Sequence, residues 1–175
     1  TFYKNGEKIR YIGYYDDGVT KSYEISYEYS ERSFEERLLY RRDGTIKQKT
    51  FYKNGEKIRY IGYYDDGVAK RHEIFYENGE RVLFVDYQDD GVTKRKEMFY
   101  ENGERAKNIG YYDDGVTKKE ETFYKNGEKT GRIGYYDDGV TKSYEIFYED
   151  GRFVVCTKYF DEDGNLEREK GEDCP

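Results

Sequence analysis

Glycine recurs in this chain on a fixed count, and the count decides what the chain can fold into. Gly55, Gly67, Gly79, Gly91, Gly103, Gly115, Gly127, Gly139 and Gly151 follow one another at a constant step of 12 residues. A glycine inside a helix costs about 1 kcal/mol, and glycines this frequent leave only helices too short to persist in water. The residue before each glycine points the other way. Asn-Gly and Asp-Gly suit a tight hairpin, because Gly takes φ > 0 without steric cost while Asn or Asp tolerates the left-handed region and bonds nearby backbone.

Two turn sequences alternate, FY[KE]NGE and YYDDGVTK, so the full repeat is 24 residues, with first members at Phe51, Phe75, Phe99, Phe123 and Phe147. Between turns there is room for a strand of ordinary length, about eight residues. The expected fold is all-β, an elongated antiparallel β-hairpin meander of strand–turn units paired into repeats, each packing mainly on its neighbours. The array is expected over residues 1–152, with an irregular unit at 26–49. Residues 153–175 are expected to form capping strands and a charged tail.

Composition bears on what holds such a sheet together. Charged residues make up 39% of the chain and Leu, Ile, Val and Phe are sparse, a balance usual for disordered chains. The 23 tyrosines reverse that reading. A tyrosine buries a large ring while its hydroxyl stays wet, so stacked aromatic columns can stabilise a thin sheet that has no deep aliphatic core.

Strand alternation sorts the residues by face. Arg10, Ile12 and Tyr14 fall on one side and Ile9, Tyr11 and Gly13 on the other. The face carrying Ile12, Val85 and Ile109, each followed by a tyrosine two residues on, is the steadier apolar one. An adjacent aromatic pair places one ring on each side, which makes both faces partly aromatic.

Residues 26–49 depart from the rule. Tyr29-Ser30 stands where Asn-Gly is expected, and SFEERLLYRR reads either as a bulged strand pair or as a short helix with Ser33 and Glu36 as a capping box. The repeats on both sides favour the strands. At the other end, FVVC supplies a more aliphatic strand, and the charged end of the chain would discourage strand addition. The two cysteines, Cys156 and Cys174, lie in this last segment. A disulfide between them would imply an oxidising compartment and a secreted or surface location; the alternative is two free thiols in a reducing one.

The net charge of −7 argues against a nucleic-acid partner. No apolar run is long enough for a transmembrane segment. Its first residues do not read as a signal peptide but as the inside of a repeat, with residues 1–19 identical to 50–68. The array is therefore expected to have extended further N-terminally.

The recurring FYxNGE and YYDDG resemble the variant MORN repeats of bacterial proteins often labelled as antitoxins, over nearly all of residues 1–165. YFDEDGNLERE alone is similar to the YD repeat of large secreted shell proteins. The MORN likeness implies a run of β-hairpins in an elongated, twisted sheet used for attachment to proteins or membrane surfaces.

Three rows of side chains are candidates for function. The tyrosine columns, Tyr14, Tyr63, Tyr87, Tyr111 and Tyr135 beside Tyr15, Tyr64, Tyr112 and Tyr136, suit an extended peptide or a glycan, and also suit a purely structural role. The paired acids from Asp16-Asp17 to Asp137-Asp138 form a rim with turns about 9.6 Å apart, too wide for one cation to bridge, so turn chemistry is the preferred reading. Lys21, Lys70, Lys94, Lys118 and Lys142 would neutralise that rim from neighbouring strands. His72 occupies a position that varies from repeat to repeat. Neither a catalytic constellation nor a metal-ligand cluster is recognisable, and no cofactor is expected.

These readings point to a non-enzymatic repeat scaffold that binds a protein partner or a cell-surface glycan through an aromatic face. The alternatives are a structural subunit of a fibre, sheath or surface layer, self-associating through the N-terminal sheet edge, and an antitoxin or immunity protein.

Overall fold

A computed structural model of the chain describes residues 1–4, 7–27, 34–171 and 174. The expected turns at Asn5-Gly6 and Tyr29-Ser30, together with Ser33, lie outside these residues. The fold is all-β: the described residues form fifteen strands and no helix, hence no helix able to cross a membrane.

The chain divides into two units, Thr1–Val92 and Thr93–Pro175. The first holds β1 (Phe2–Lys4), β2 (Glu7–Tyr14), β3 (Lys21–Tyr27), β4 (Phe34–Tyr40), β5 (Ile46–Lys53), β6 (Glu56–Tyr63), β7 (Lys70–Glu77) and β8 (Glu80–Tyr87). The second holds β9 (Lys94–Glu101), β10 (Glu104–Tyr111), β11 (Lys118–Lys125), β12 (Glu128–Tyr135), β13 (Lys142–Glu149), β14 (Phe153–Phe160) and β15 (Leu166–Gly171). Within each unit every strand pairs antiparallel with the next, so each is an uninterrupted meander. In the irregular segment, Phe34–Tyr40 is a strand, with a register shift between Leu39 and Tyr40. The bulged-strand reading holds there and the helical one does not.

The two kinds of turn are built differently. At the Asn-Gly turns, Asn54, Asn78, Asn102 and Asn126 have φ of 51–52° and their glycines 78–83°, so both central residues are left-handed. That is the two-residue hairpin turn whose twist matches its flanking strands. The Asp-Asp-Gly turns take six residues, 64–69 in one example. There Tyr64 N–H donates to Ala69 O (2.9 Å), Gly67 N–H donates to Tyr64 O (3.0 Å), and only the glycine is left-handed.

Most of the hairpins also carry a one-residue bulge near the turn, the β3–β4 pair excepted. Gly62 faces His72 but Tyr63 faces Lys70, so Arg71 is the extra residue; Phe75 faces Leu83 but Tyr76 faces Arg81, so Val82 is. A bulge re-aims the side chains beside it. Here it brings Lys70 to the same side as Glu73.

Buried residues occur on both faces. The face of Ile61, Val85 and Ile109 is the more buried, as the alternation predicts, and it also buries Glu24, Glu73, Glu121 and Cys156. The opposite face buries Thr50, Ile74 and Thr122. Cys156 and Cys174 are disulfide-bonded, with Cα atoms 5.0 Å apart, which ties the tail to β14.

Candidate functional site

The expected site residues are the tyrosine columns, and the structure gives each column a job inside the sheet. The column Tyr15, Tyr64, Tyr112 and Tyr136 lies just past the strand ends, at the Asp-Asp-Gly rim. Each hydroxyl reaches across to the carbonyl that ends the strand at the next such turn: Tyr15 to Tyr40 O (2.6 Å), Tyr64 to Tyr87 O (3.1 Å), Tyr112 to Tyr135 O (3.1 Å) and Tyr136 to Phe160 O (2.6 Å). Arg41 stands in the same place in the irregular hairpin, and its guanidinium donates to Tyr63 O (2.9 Å). These bonds run from one turn to the strand end at the next and so couple successive turns.

The other column, Tyr63, Tyr87, Tyr111 and Tyr135, lies on the more buried face. Three of its hydroxyls donate to glutamates that the sequence reading did not single out: Tyr87 to Glu73 (2.9 Å), Tyr111 to Glu97 (2.5 Å) and Tyr135 to Glu121 (2.5 Å). Tyr40 makes the same bond to Glu24 (3.3 Å), whereas Tyr14 is 52% exposed. Burial and the neighbouring carboxylate push the Tyr111 and Tyr135 hydroxyls well above the ordinary tyrosine range, and Tyr40 up to about 12.

These glutamates explain the lysine row. Lys21, Lys70, Lys94, Lys118 and Lys142 do not pair with the acidic rim as expected. Each turns to the glutamate three residues on, with N–O distances of 3.0, 3.3, 2.9, 3.6 and 3.1 Å. The bulge is the physical reason, because it swings the lysine onto the glutamate's side. The ammonium then lies over a ring of the following repeat, as Lys70 does over Tyr87 (4.3 Å) and Lys118 over Tyr135 (4.9 Å). Glu73, only 2% exposed, sits between Ile61 and Val85 and also binds Arg59; Glu24 likewise binds Arg10 (2.6 Å). Burial pushes the Glu24 carboxyl up, but Arg10 and Lys21 outweigh it and hold the group below its ordinary value. A charge this buried persists only when paired this fully. The signal available in the sequence was the same Glu three residues after each lysine.

On the opposite face, glycine makes room for a ring. His72 is stacked between Tyr60 (5.5 Å) and Phe84 (5.5 Å) and lies against Gly62, where a Cβ would come within 2.6 Å of it. Tyr23 covers Gly13 and Tyr144 covers Gly134 in the same way. Burial, then the charge of Arg71, lowers the His72 pKa, so it is a neutral packing residue.

The acidic rim is split by role. The second aspartate of each turn accepts backbone N–H bonds: Asp66 from Val68 (2.9 Å) and Ala69 (3.0 Å), Asp114 from Val116 (2.9 Å) and Thr117 (2.8 Å), Asp138 from Val140 and Thr141 (both 2.8 Å). Bonds from the neighbouring threonine hydroxyls, and then these backbone bonds, hold Asp17, Asp114 and Asp138 below the usual carboxylate range. The first aspartate points outward, as at Asp65, which meets Arg41 at 3.4 Å. Among the described residues no three His, Cys, Asp or Glu side chains converge as a metal site would require.

At the tips of these same turns stand five exposed valines. Val19, Val68 and Val92 in the first unit, and Val116 and Val140 in the second, are between 73% and 81% exposed. Beside Val140 the second unit has an open cleft of about 410 Å³ lined by Tyr112, Tyr135, Tyr136, Asp137, Asp138, Ser143 and Glu162.

No protein-family model and no curated sequence matches the chain. Among solved structures it is similar to a mutant of S. aureus TarM in complex with Fondaparinux, alpha-GlcNAc-glycerol and UDP, at 10% identity and a TM-score of 0.44, over 54% of this chain and 18% of that one. It is also similar to the pneumococcal O-GlcNAc transferase GtfA in complex with UDP and GlcNAc, at 9% identity and a TM-score of 0.39, over 50% and 17%. A structure of accessory secretory protein 1, 2 and 3 in Streptococcus pneumoniae gives 16% identity and a TM-score of 0.36, over 69% of this chain and 20% of that one. The chain thus spans about a fifth or less of these proteins, and scores below 0.5 carry no argument about what it does.

Proposed function

We propose that this chain is a non-enzymatic repeat scaffold that binds a protein partner along its Asp-Asp-Gly rim. The observation that carries the reading is the valine at each turn tip. It is an apolar side chain repeated at the most exposed point of the fold, where turn geometry asks nothing of it and no packing rewards it. Seven of the nine column tyrosines, all but Tyr14 and Tyr63, have hydroxyls bonded within the framework. The valines, flanked by outward aspartates, are what the scaffold presents. A partner that suits them offers shallow apolar contacts bordered by basic groups. The disulfide favours a secreted or surface-exposed setting.

The test places a photo-crosslinking residue at Val116 in one variant and at Glu104, on the Asn-Gly side, in another. In an extract of the producing organism the Val116 probe should give one discrete protein adduct, competed away by the unmodified chain, and the Glu104 probe should not. Equal labelling from both positions, or no competition, contradicts the reading.

A further inference from the structure

Resting on that reading, we propose that the cleft between the last Asp-Asp-Gly turns receives the guanidinium of an arginine from an extended segment of the partner. Two aromatic rings, Tyr112 and Tyr136, wall the cleft, and Asp137 and Glu162 stand exposed at its mouth. The Tyr112 hydroxyl is held above its ordinary range by burial and then by Asp137 beside it; burial, Glu167 and Glu162 do the same at Tyr136. Flat π faces beside two carboxylates match a planar, charged group that stacks and bonds in a fork, better than they match a compact ammonium.

The chain itself shows such a site filled. In the first unit Tyr15 occupies the place that Tyr136 occupies in the second, and Arg42 lies over its ring at 5.4 Å, its charge helping to depress Asp17. One residue earlier Arg41 meets Asp65 at 3.4 Å. Counting back from the turn glycines Gly44 and Gly164, the residue at the place of Arg42 is Glu162. The same tyrosine that carries the chain's own guanidinium in the first unit therefore faces a carboxylate in the second. The place of Arg42 thus supplies no guanidinium to Tyr136; the chain's own cation at the cleft is an ammonium, that of Lys119 over the Tyr112 ring at 5.7 Å.

The probe is a capped Gly-Gly-Arg-Gly-Gly peptide, titrated into the full ¹⁵N-labelled chain and followed by NMR. Saturable shifts are expected at the amides of Tyr112, Tyr136, Asp137 and Glu162, and a citrulline peptide of the same shape should bind at least about ten-fold more weakly. Glu162→Arg should abolish the shifts by supplying an internal guanidinium, and Asp137→Asn with Glu162→Gln should weaken binding by about ten-fold or more without filling the cleft. Equal binding of the citrulline peptide, indifference to either variant, or shifts centred on Glu101 and Tyr124 at the Asn-Gly side would overturn the proposal. If the Val116 crosslink forms while the peptide fails, the arginine assignment falls and the scaffold reading stands; if the crosslink itself fails, the scaffold reading falls.

Discussion

Within either unit the two rims of the sheet reverse the chain by different means, and they join turn to turn by different contacts. On the Asn-Gly rim the two-residue turns leave their glycines open, since a Cβ built at Gly55, Gly79, Gly103 or Gly127 meets no atom within 4 Å. Neighbouring turns there meet through side chains, such as Lys57 over the Tyr76 ring (4.6 Å) and Arg105 over the Tyr124 ring (5.3 Å). On the Asp-Asp-Gly rim the turns nest. A Cβ at Gly91 would come within 2.5 Å of Lys70 N, and at Gly67 and Gly115 within 2.7 Å of Ile46 N and Lys94 N. Tyrosine hydroxyls span the same gaps, and each second aspartate clamps its own turn. The cohesion that a deep core would otherwise supply comes partly from this rim.

The contrast is broken or sharpened most strongly by glycine substitution. Gly67→Ala or Gly115→Ala combines left-handed strain with a backbone clash and should cost about 2–5 kcal/mol. Gly79→Ala or Gly103→Ala has strain alone and should cost about 1–2 kcal/mol. Urea unfolding of the four variants measures both, and equal costs would remove the distinction between the rims. Next in size, Tyr112→Phe or Tyr136→Phe should cost about 0.5–1.5 kcal/mol each, since each removes the hydroxyl bond to Tyr135 O or Phe160 O that joins two turns. Tyr76→Phe, whose hydroxyl meets Lys57 Nζ at 3.4 Å, should cost less in the same assay.

The smallest effect is on pH dependence. Asp17, Asp114 and Asp138 have folded pKa values below their unfolded ones. Between the two values the unfolded chain binds more protons, so their contribution is complete above the unfolded value of about 4 and is lost as pH falls through the folded one. Replacing all three with Asn keeps a side-chain acceptor but should flatten this acid limb in thermal melts. The Asn-Gly turn pairs themselves carry no carboxylate and so have no such limb to lose.

Much of the fold was legible in the sequence because it is written locally. Asn-Gly pairs specify their own dihedral angles, and a step of 12 residues specifies where they recur. The roles of the charged residues were not legible, because they depend on the bulges. One extra residue, such as Arg71, moves Lys70 from the rim to Glu73 and sets His72 against Gly62, and no local pattern in KRHEI announces that slip. Likewise the two tyrosines of YYDD look equivalent, yet one sits on a strand under a glutamate's partner lysine and the other bridges turns. The burial of Glu73 is not local either: besides Lys70, its partners Arg59 and Tyr87 lie 14 residues away on either side.

Native-state amide hydrogen exchange tests the division of labour most directly. The amides of Tyr112, Gly115, Tyr136 and Gly139, held by the nested turns, should exchange at least about ten-fold more slowly than those of Gly103, Glu104, Gly127 and Glu128 on the Asn-Gly rim. Equal rates on the two rims, or slower exchange at the Asn-Gly turns, would contradict the claim that the Asp-Asp-Gly rim holds each unit together.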